Sequence, residues 1–256
     1  MKKLLVSILS TLLGIGIFVL PSFFSSKDED ALVIGLQSGY PPFEFRDAAG
    51  EIVGFDVELG KRIAQELGKK AVFHDMEFDG EILSLQQGKI DLILSGMNIT
   101  STRLQEISMV PYHGESVTSL TLLFWKKVPE GVSKLEDISG VIAVETGSIA
   151  ENYLKKIPGL QLKTFVGSLE PLIDVKYGKS AACVVQPDVG AFLLKEHPDF
   201  VALSIPLPPE EHVLGFGIGV SKENTQLLEQ VSSIVADLKQ TGELQQLEKE
   251  WFGGVP

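Results

Sequence analysis

Apolar and polar positions along this chain switch between two periods, and the switches mark out its elements. Ala31-Leu-Val-Ile-Gly-Leu36 is a compact apolar run and predicts a buried strand. Leu59, Ile63 and Leu67 then recur every fourth residue, which predicts a helix with one apolar face, closed by Gly68. Asp56 stands at its start and is assigned as the N-cap. Val72 and Phe73 open a second strand, a helix capped by Asp79 runs from Phe78 to Leu85, and Ile90 to Leu94 is a third strand. Strand, helix, strand, helix, strand predicts a parallel sheet flanked by helices. The rhythm resumes downstream. Strands are expected at Ser119–Trp125, Val141–Val144, Gln161–Val166, Ala181–Val185 and the glycine-rich Leu214–Val220. Helices are expected at Ile149–Lys156, Leu169–Tyr177, Val189–Glu196, Leu227–Leu238 and Thr241–Phe252.

The amino terminus follows a different rule. Lys2 and Lys3 precede a stretch from Leu4 to Leu20 whose only polar side chains are Ser7, Ser10 and Thr11. That is the pattern of a secretory signal and is excluded from the fold. Phe23 and Phe24 stand where a cleavage site wants small residues, so residues 1–26 are read as a signal peptide or an uncleaved anchor. The expected location is the periplasm or cell envelope. From Lys27 onward 20 basic residues face 34 acidic ones, a net charge of 20 − 34 = −14, which argues against nucleic acid and anionic membranes as partners. Cys183 is the single cysteine, so no internal disulfide can form, and its apolar setting predicts a buried, inert thiol. His74, His113, His197 and His212 lack metal-ligand spacing, and neither a metal nor a cofactor is indicated.

Chemistry concentrates in Ser95-Gly-Met-Asn-Ile-Thr-Ser-Thr-Arg103, which follows the third strand. In open α/β sheets ligands bind at the carboxyl ends of strands, and an arginine there presents a fork of donors matched to a carboxylate. Taken alone, Arg103 reads more readily as an exposed helix residue. Tyr40, between Gly39 and two prolines, has a well-defined direction; on local grounds it reads as readily as a surface tyrosine in a turn.

Tyr40-Pro-Pro-Phe43, Gly54-Phe-Asp-Val-Glu58, Gly88-Lys-Ile-Asp91, Ile99-Thr-x-x-Arg103, Pro111-Tyr112 and Lys249-Glu-Trp-Phe-Gly253 occur in order between about Leu32 and Gly253. Together they resemble the extracytoplasmic solute-binding proteins of polar amino-acid ABC importers, in particular those for arginine and other basic amino acids. The resemblance implies a two-lobed α/β fold of the type II periplasmic-binding class, each lobe a mostly parallel sheet flanked by helices, with two crossing strands as hinge. Residues 31–120 and 216–256 would form one lobe and 121–215 the other. It also implies an amino-acid ligand in the cleft and a membrane permease as partner; a monomer is the default expectation.

By the same resemblance Arg103 would clamp the ligand's α-carboxylate, with backbone donors from Gly147, Ser148 and Ile149 at a helix start. Ser95, Gly96 and Asn98 would add contacts, and Tyr40 and Phe78 would sandwich the side chain. Two positions depart from the pattern: Gln186 stands where relatives carry a carboxylate for the α-ammonium, and Gln37 where basic-amino-acid binders place an acid. Glu145 is the candidate replacement and Glu115 a weaker one; both also read as solvated loop acids. Arginine leads as ligand, with glutamine, histidine and lysine as alternatives. Some dehydratases share this fold, and Glu145 would be their proton donor, but no second catalytic partner is visible. A surface adhesin or signalling receptor on the same fold is a third reading.

Overall fold

The computed structural model describes residues 30–253; the signal or anchor reading of residues 1–26 lies outside them. In chain order the strands are β1 (Ala31–Leu36), β2 (Phe45–Arg46), β3 (Ile52–Val53), β4 (Lys70–Asp75), β5 (Leu92–Ile93), β6 (Ser108–Val117), β7 (Ser119–Trp125), β8 (Val141–Glu145), β9 (Gln161–Phe165), β10 (Ala182–Val185), β11 (Phe200–Pro206) and β12 (Val213–Val220). The helices are α1 (Phe55–Glu66), α2 (Glu81–Gln86), α3 (Ser101–Glu106), α4 (Ile149–Leu154), α5 (Leu169–Lys176), α6 (Pro187–Glu196), α7 (Thr225–Thr241) and α8 (Glu243–Phe252).

Two five-stranded sheets carry the fold, in the orders β4-β1-β5-β12-β6 and β11-β7-β10-β8-β9. Three strands of each are parallel: β1 between β4 and β5, and β8 between β9 and β10. The strands flanking each crossing add antiparallel pairs, β12 with β5 and β6, and β7 with β10 and β11. The chain passes from the first sheet to the second between β6 and β7, where Thr118 separates them, and returns between β11 and β12. The result is a two-lobed mixed α/β molecule.

Burial follows the apolar pattern. On α1, Phe55, Leu59 and Ile63 are buried with Leu32 and Ile34 of β1. In the second lobe Leu122, Phe124, Ile142, Val144, Leu154 and Val184 form a separate core. Cys183 is buried and free, and burial pushes its thiol up to about 12, so it is inert as expected.

Several expectations need correction. Asp56 does not cap α1: Gly54 holds the N-cap position, and Asp56 lies inside the helix, fully buried. Gly54 has φ 138°, and a Cβ there would stand 2.1 Å from the carbonyl oxygen of Phe43, so only glycine fits. Asp79 caps nothing; Phe78–Gly80 is a 3-10 turn leading into α2. The third strand is shorter than its apolar run. Asp91 meets Val33 twice, its N–H donating to Val33 O at 2.7 Å and its Oδ2 accepting the Val33 N–H at 2.8 Å, so a side chain supplies one of the two bonds there and regular pairing is left to Leu92 and Ile93. Two long strands, β6 and β11, were absent from the sequence reading.

Candidate functional site

The carboxyl ends of β1, β5, β8 and β10 meet where the two lobes face each other. Gln37 follows β1, Ser95 and Gly96 follow β5, Glu145 ends β8 and Gln186 follows β10. Tyr40, Phe78, Asn98, Arg103, Ser148 and Ile149 come to the same place from adjoining loops and helix starts. Eleven of the residues expected at the site therefore line one cleft. Gly96 is fitted closely: its φ is 51°, and a Cβ would lie 2.7 Å from Cε1 of the Tyr40 ring.

Direct hydrogen bonds span the cleft. Gln37 Nε2 donates to Glu145 Oε1 at 2.8 Å, while Gln37 Oε1 accepts from the Phe78 N–H at 2.7 Å. Gln186 Nε2 donates to the Tyr40 hydroxyl and to Asn98 Oδ1, both at 2.8 Å, and Asn98 Nδ2 returns a bond to Gln186 Oε1 at 3.1 Å. The Ser168 hydroxyl donates to the Gly39 carbonyl at 2.6 Å. The cavity that remains is about 20 Å³, on the order of one water. A larger hollow of about 270 Å³ lies between α1, α7 and α8 and includes none of the cleft residues.

Arg103 is held by carbonyls from both lobes, Nη1 donating to Asn98 O at 2.9 Å and Nη2 to Gly147 O at 3.2 Å. Its guanidinium lies 5.1 Å from the centre of the Phe78 ring, so that face of Phe78 is stacked on the protein's own cation. The donors expected at the start of α4 are partly engaged within their loop. Gly147 N–H donates to Glu151 Oε2 at 2.8 Å, and Ser148 Oγ accepts the Glu151 N–H while donating to Glu145 O.

The electrostatics single out acids. Burial raises the Glu145 carboxyl to about 8, against the bond from Gln37; Glu170 pushes it up and Arg103 draws it down. Glu115, the weaker candidate, lies exposed in β6 and does not line the cleft. Arg103 is lowered to about 10 by burial and supported by Glu81, Tyr40 and Glu145, so it stays cationic at neutral pH.

Three further acids were missed by sequence reasoning. Glu44 lines the cleft and is fully buried, as are Glu81 beneath it and Asp56. Burial drives Glu44 and Glu81 well above the usual carboxylate range. Asp56 Oδ2 accepts from the Gly96 N–H at 2.9 Å and the Tyr112 hydroxyl at 2.7 Å. A signal existed for Glu81, which shares a buried helix face with Leu85 four residues on.

A sequence model of the bacterial extracellular solute-binding proteins, family 3, matches residues 32–254. The chain belongs to that family. Among family 3 relatives, the probable ABC transporter arginine-binding protein ArtJ of Chlamydia trachomatis serovar D is 36% identical over 227 residues, covering 88% of this chain and 87% of that protein. A mutant of ArgBP from T. maritima superposes with a TM-score of 0.81 at 33% identity, covering 88% of this chain and 96% of that one. An ancestral arginine-binding protein bound to glutamine gives 0.79 at 31%, covering 88% and 98%.

Proposed function

We propose that this protein is an extracytoplasmic receptor for a polar L-amino acid, with arginine as the first choice, and that it delivers its ligand to an ABC importer in the membrane. The observation that carries the choice is the set of buried acids, Glu44 and Glu145 lining the cleft with Asp56 and Glu81 beneath it. Buried carboxylates need a cationic partner, and a guanidinium supplies a planar one that also stacks on Tyr40. Arg103 takes the α-carboxylate, exchanging carbonyl partners for a charged one. Ser95, Gly96, Asn98, Ser148 and Ile149 surround the backbone end of the ligand, and Gln37 and Gln186 orient the acids and Tyr40. The arginine-binding names of the relatives support this reading.

In this reading residues 31–120 with 216–256 and residues 121–215 move as two bodies, closing on a ligand that bridges them. The receptor acts as a monomer beyond the cytoplasmic membrane, released or held by its first 26 residues, and the permease reads the closed form. Glutamine is the second reading, favoured by the amides Gln37 and Gln186 inside the cleft.

Thermal denaturation in the presence of each of the twenty amino acids separates the two. A ligand that binds only the native state raises Tm by mass action. Arginine is expected to give the largest rise. A rise with glutamine and none with arginine would transfer the specificity to the amides, and no rise with any amino acid would overturn the receptor.

A further inference from the structure

Both oxygens of Glu44 and Oδ1 of Asp56 meet no hydrogen-bond donor at this cleft, and Glu81 has the Ser95 hydroxyl alone as a hydrogen-bonding neighbour. None of the three side chains has any solvent exposure, and Glu44 is aimed into the cavity that Tyr40, Arg103 and Glu145 also line. Among the described residues no ion pair reaches any of the three. Glu44 and Asp56 interact carboxyl to carboxyl, and the second oxygen of Asp56 is fixed by Gly96 and Tyr112.

Titratable and charged groups face these acids from every packed element. Glu81 comes from α2, Glu145 from β8, and Tyr40 and Tyr112 from the Gly39–Pro42 turn and β6. Asp188 of α6 acts on Tyr40 from the second lobe. The cations are Arg103 of α3, which acts on Glu81 and Glu145, and His113 of β6, which acts on Asp56. His113 is itself committed to Glu248 at 2.8 Å and Asp188 at 3.8 Å. An ionised carboxylate without a partner in such a place is costly, and the group keeps its proton instead.

We propose that Glu44 and Asp56 share one proton in this cleft and release it to solvent when a cationic amino-acid side chain enters, so that the receptor exchanges a proton for its ligand's charge. The balance is simple. The O–H bond of the shared proton breaks, the proton leaves to water or buffer, and the carboxylate left behind pairs with the incoming guanidinium or ammonium. The proposal rests on the reading that the ligand is cationic. It adds that affinity for such a ligand strengthens with pH, approaching tenfold per pH unit while one proton is displaced, whereas a neutral amino acid shows no such dependence.

Isothermal titration of the protein with arginine and with glutamine, at one pH in buffers of different ionisation enthalpy, counts the protons. Arginine is expected to release about one; Glu44→Gln should abolish the release and weaken arginine. Arginine binding whose heat is independent of buffer, with a Kd flat across pH, would overturn the proton exchange while leaving the receptor intact. Failure of any cationic amino acid to bind would overturn the ligand reading and the exchange with it. Infrared spectroscopy tests the resident proton without ligand. A protonated-carboxyl C=O band is expected at neutral pH in the wild type, Glu81 and Glu145 contributing to it, and should lose part of its intensity in Glu44→Gln; a band that Glu44→Gln leaves unchanged sinks the proposal whatever binds.

Discussion

At the scale of single residues, Arg103 joins two functions that the sequence could not separate. It bridges Asn98 O and Gly147 O, so it ties the lobes together, and in the proposed reading it also meets the ligand's carboxylate. Truncating one partner of a buried charged hydrogen bond costs about 2–5 kcal/mol. Arg103→Ala should therefore weaken amino-acid binding at least about 30-fold by calorimetry; an unchanged Kd would remove it from the ligand site. Glu145 makes a pH prediction. Its carboxyl titrates near 8 when buried but in the ordinary carboxylate range when exposed. Its contribution is whole below that ordinary range and is lost as pH climbs through about 8, because the unfolded chain has by then given up the proton. Thermal stability should fall from about pH 5 to pH 8, and Glu145→Gln should reduce that slope; superimposable slopes would contradict it. Arg103 and Glu145 were legible because polar sequence surrounds them, Arg103 in the first turn of α3 and Glu145 at the end of β8 before Thr146-Gly-Ser148. Glu44 was not, since an acid between Phe43 and Phe45 looks like a solvated turn residue until the fold closes over it.

At the scale of elements, the sequence pattern was reliable wherever one face of a strand or helix is buried. The strand at Ser119–Trp125 keeps both its predicted ends. It failed where a side chain does the work of the backbone, as at Asp91, or where an acid in a helix start turns inward, as at Asp56. Neither event has a local signature, because the partners lie 58 and 40 residues away. β6 was overlooked because Pro111 and Gly114 interrupt its pattern, although its partner β12 accommodates them with register shifts. Gly96 shows how narrowly the loop after β5 is set. Gly96→Ala combines a left-handed backbone with a collision at Tyr40, a strain of about 1–3 kcal/mol. A lower Tm together with weaker ligand binding is expected; a neutral substitution would mean that the ring moves aside without consequence.

At the scale of the whole molecule, two lobes assembled from interleaved segments were visible in the sequence through a resemblance, while their grip on each other was not. Contacts between residues 88 to 146 positions apart, such as Gln186 with Asn98 and with Tyr40, carry no trace in local pattern. The same contacts leave a space of only about 20 Å³ at the centre of the closed cleft. This limits how fast the protein can work. A free amino acid cannot slip into so small a space; it has to wait until the lobes part. Capture should therefore be first order in protein at high ligand concentration, with the observed rate levelling off at the opening rate, in the μs–ms range of domain motions. Stopped-flow fluorescence from Trp125 and Trp251 would follow it. A rate that rises linearly without limit would mean that the cleft stands open most of the time, whereas a plateau would make opening the speed limit of the receptor and set how quickly it responds when the supply of amino acid outside the cell changes.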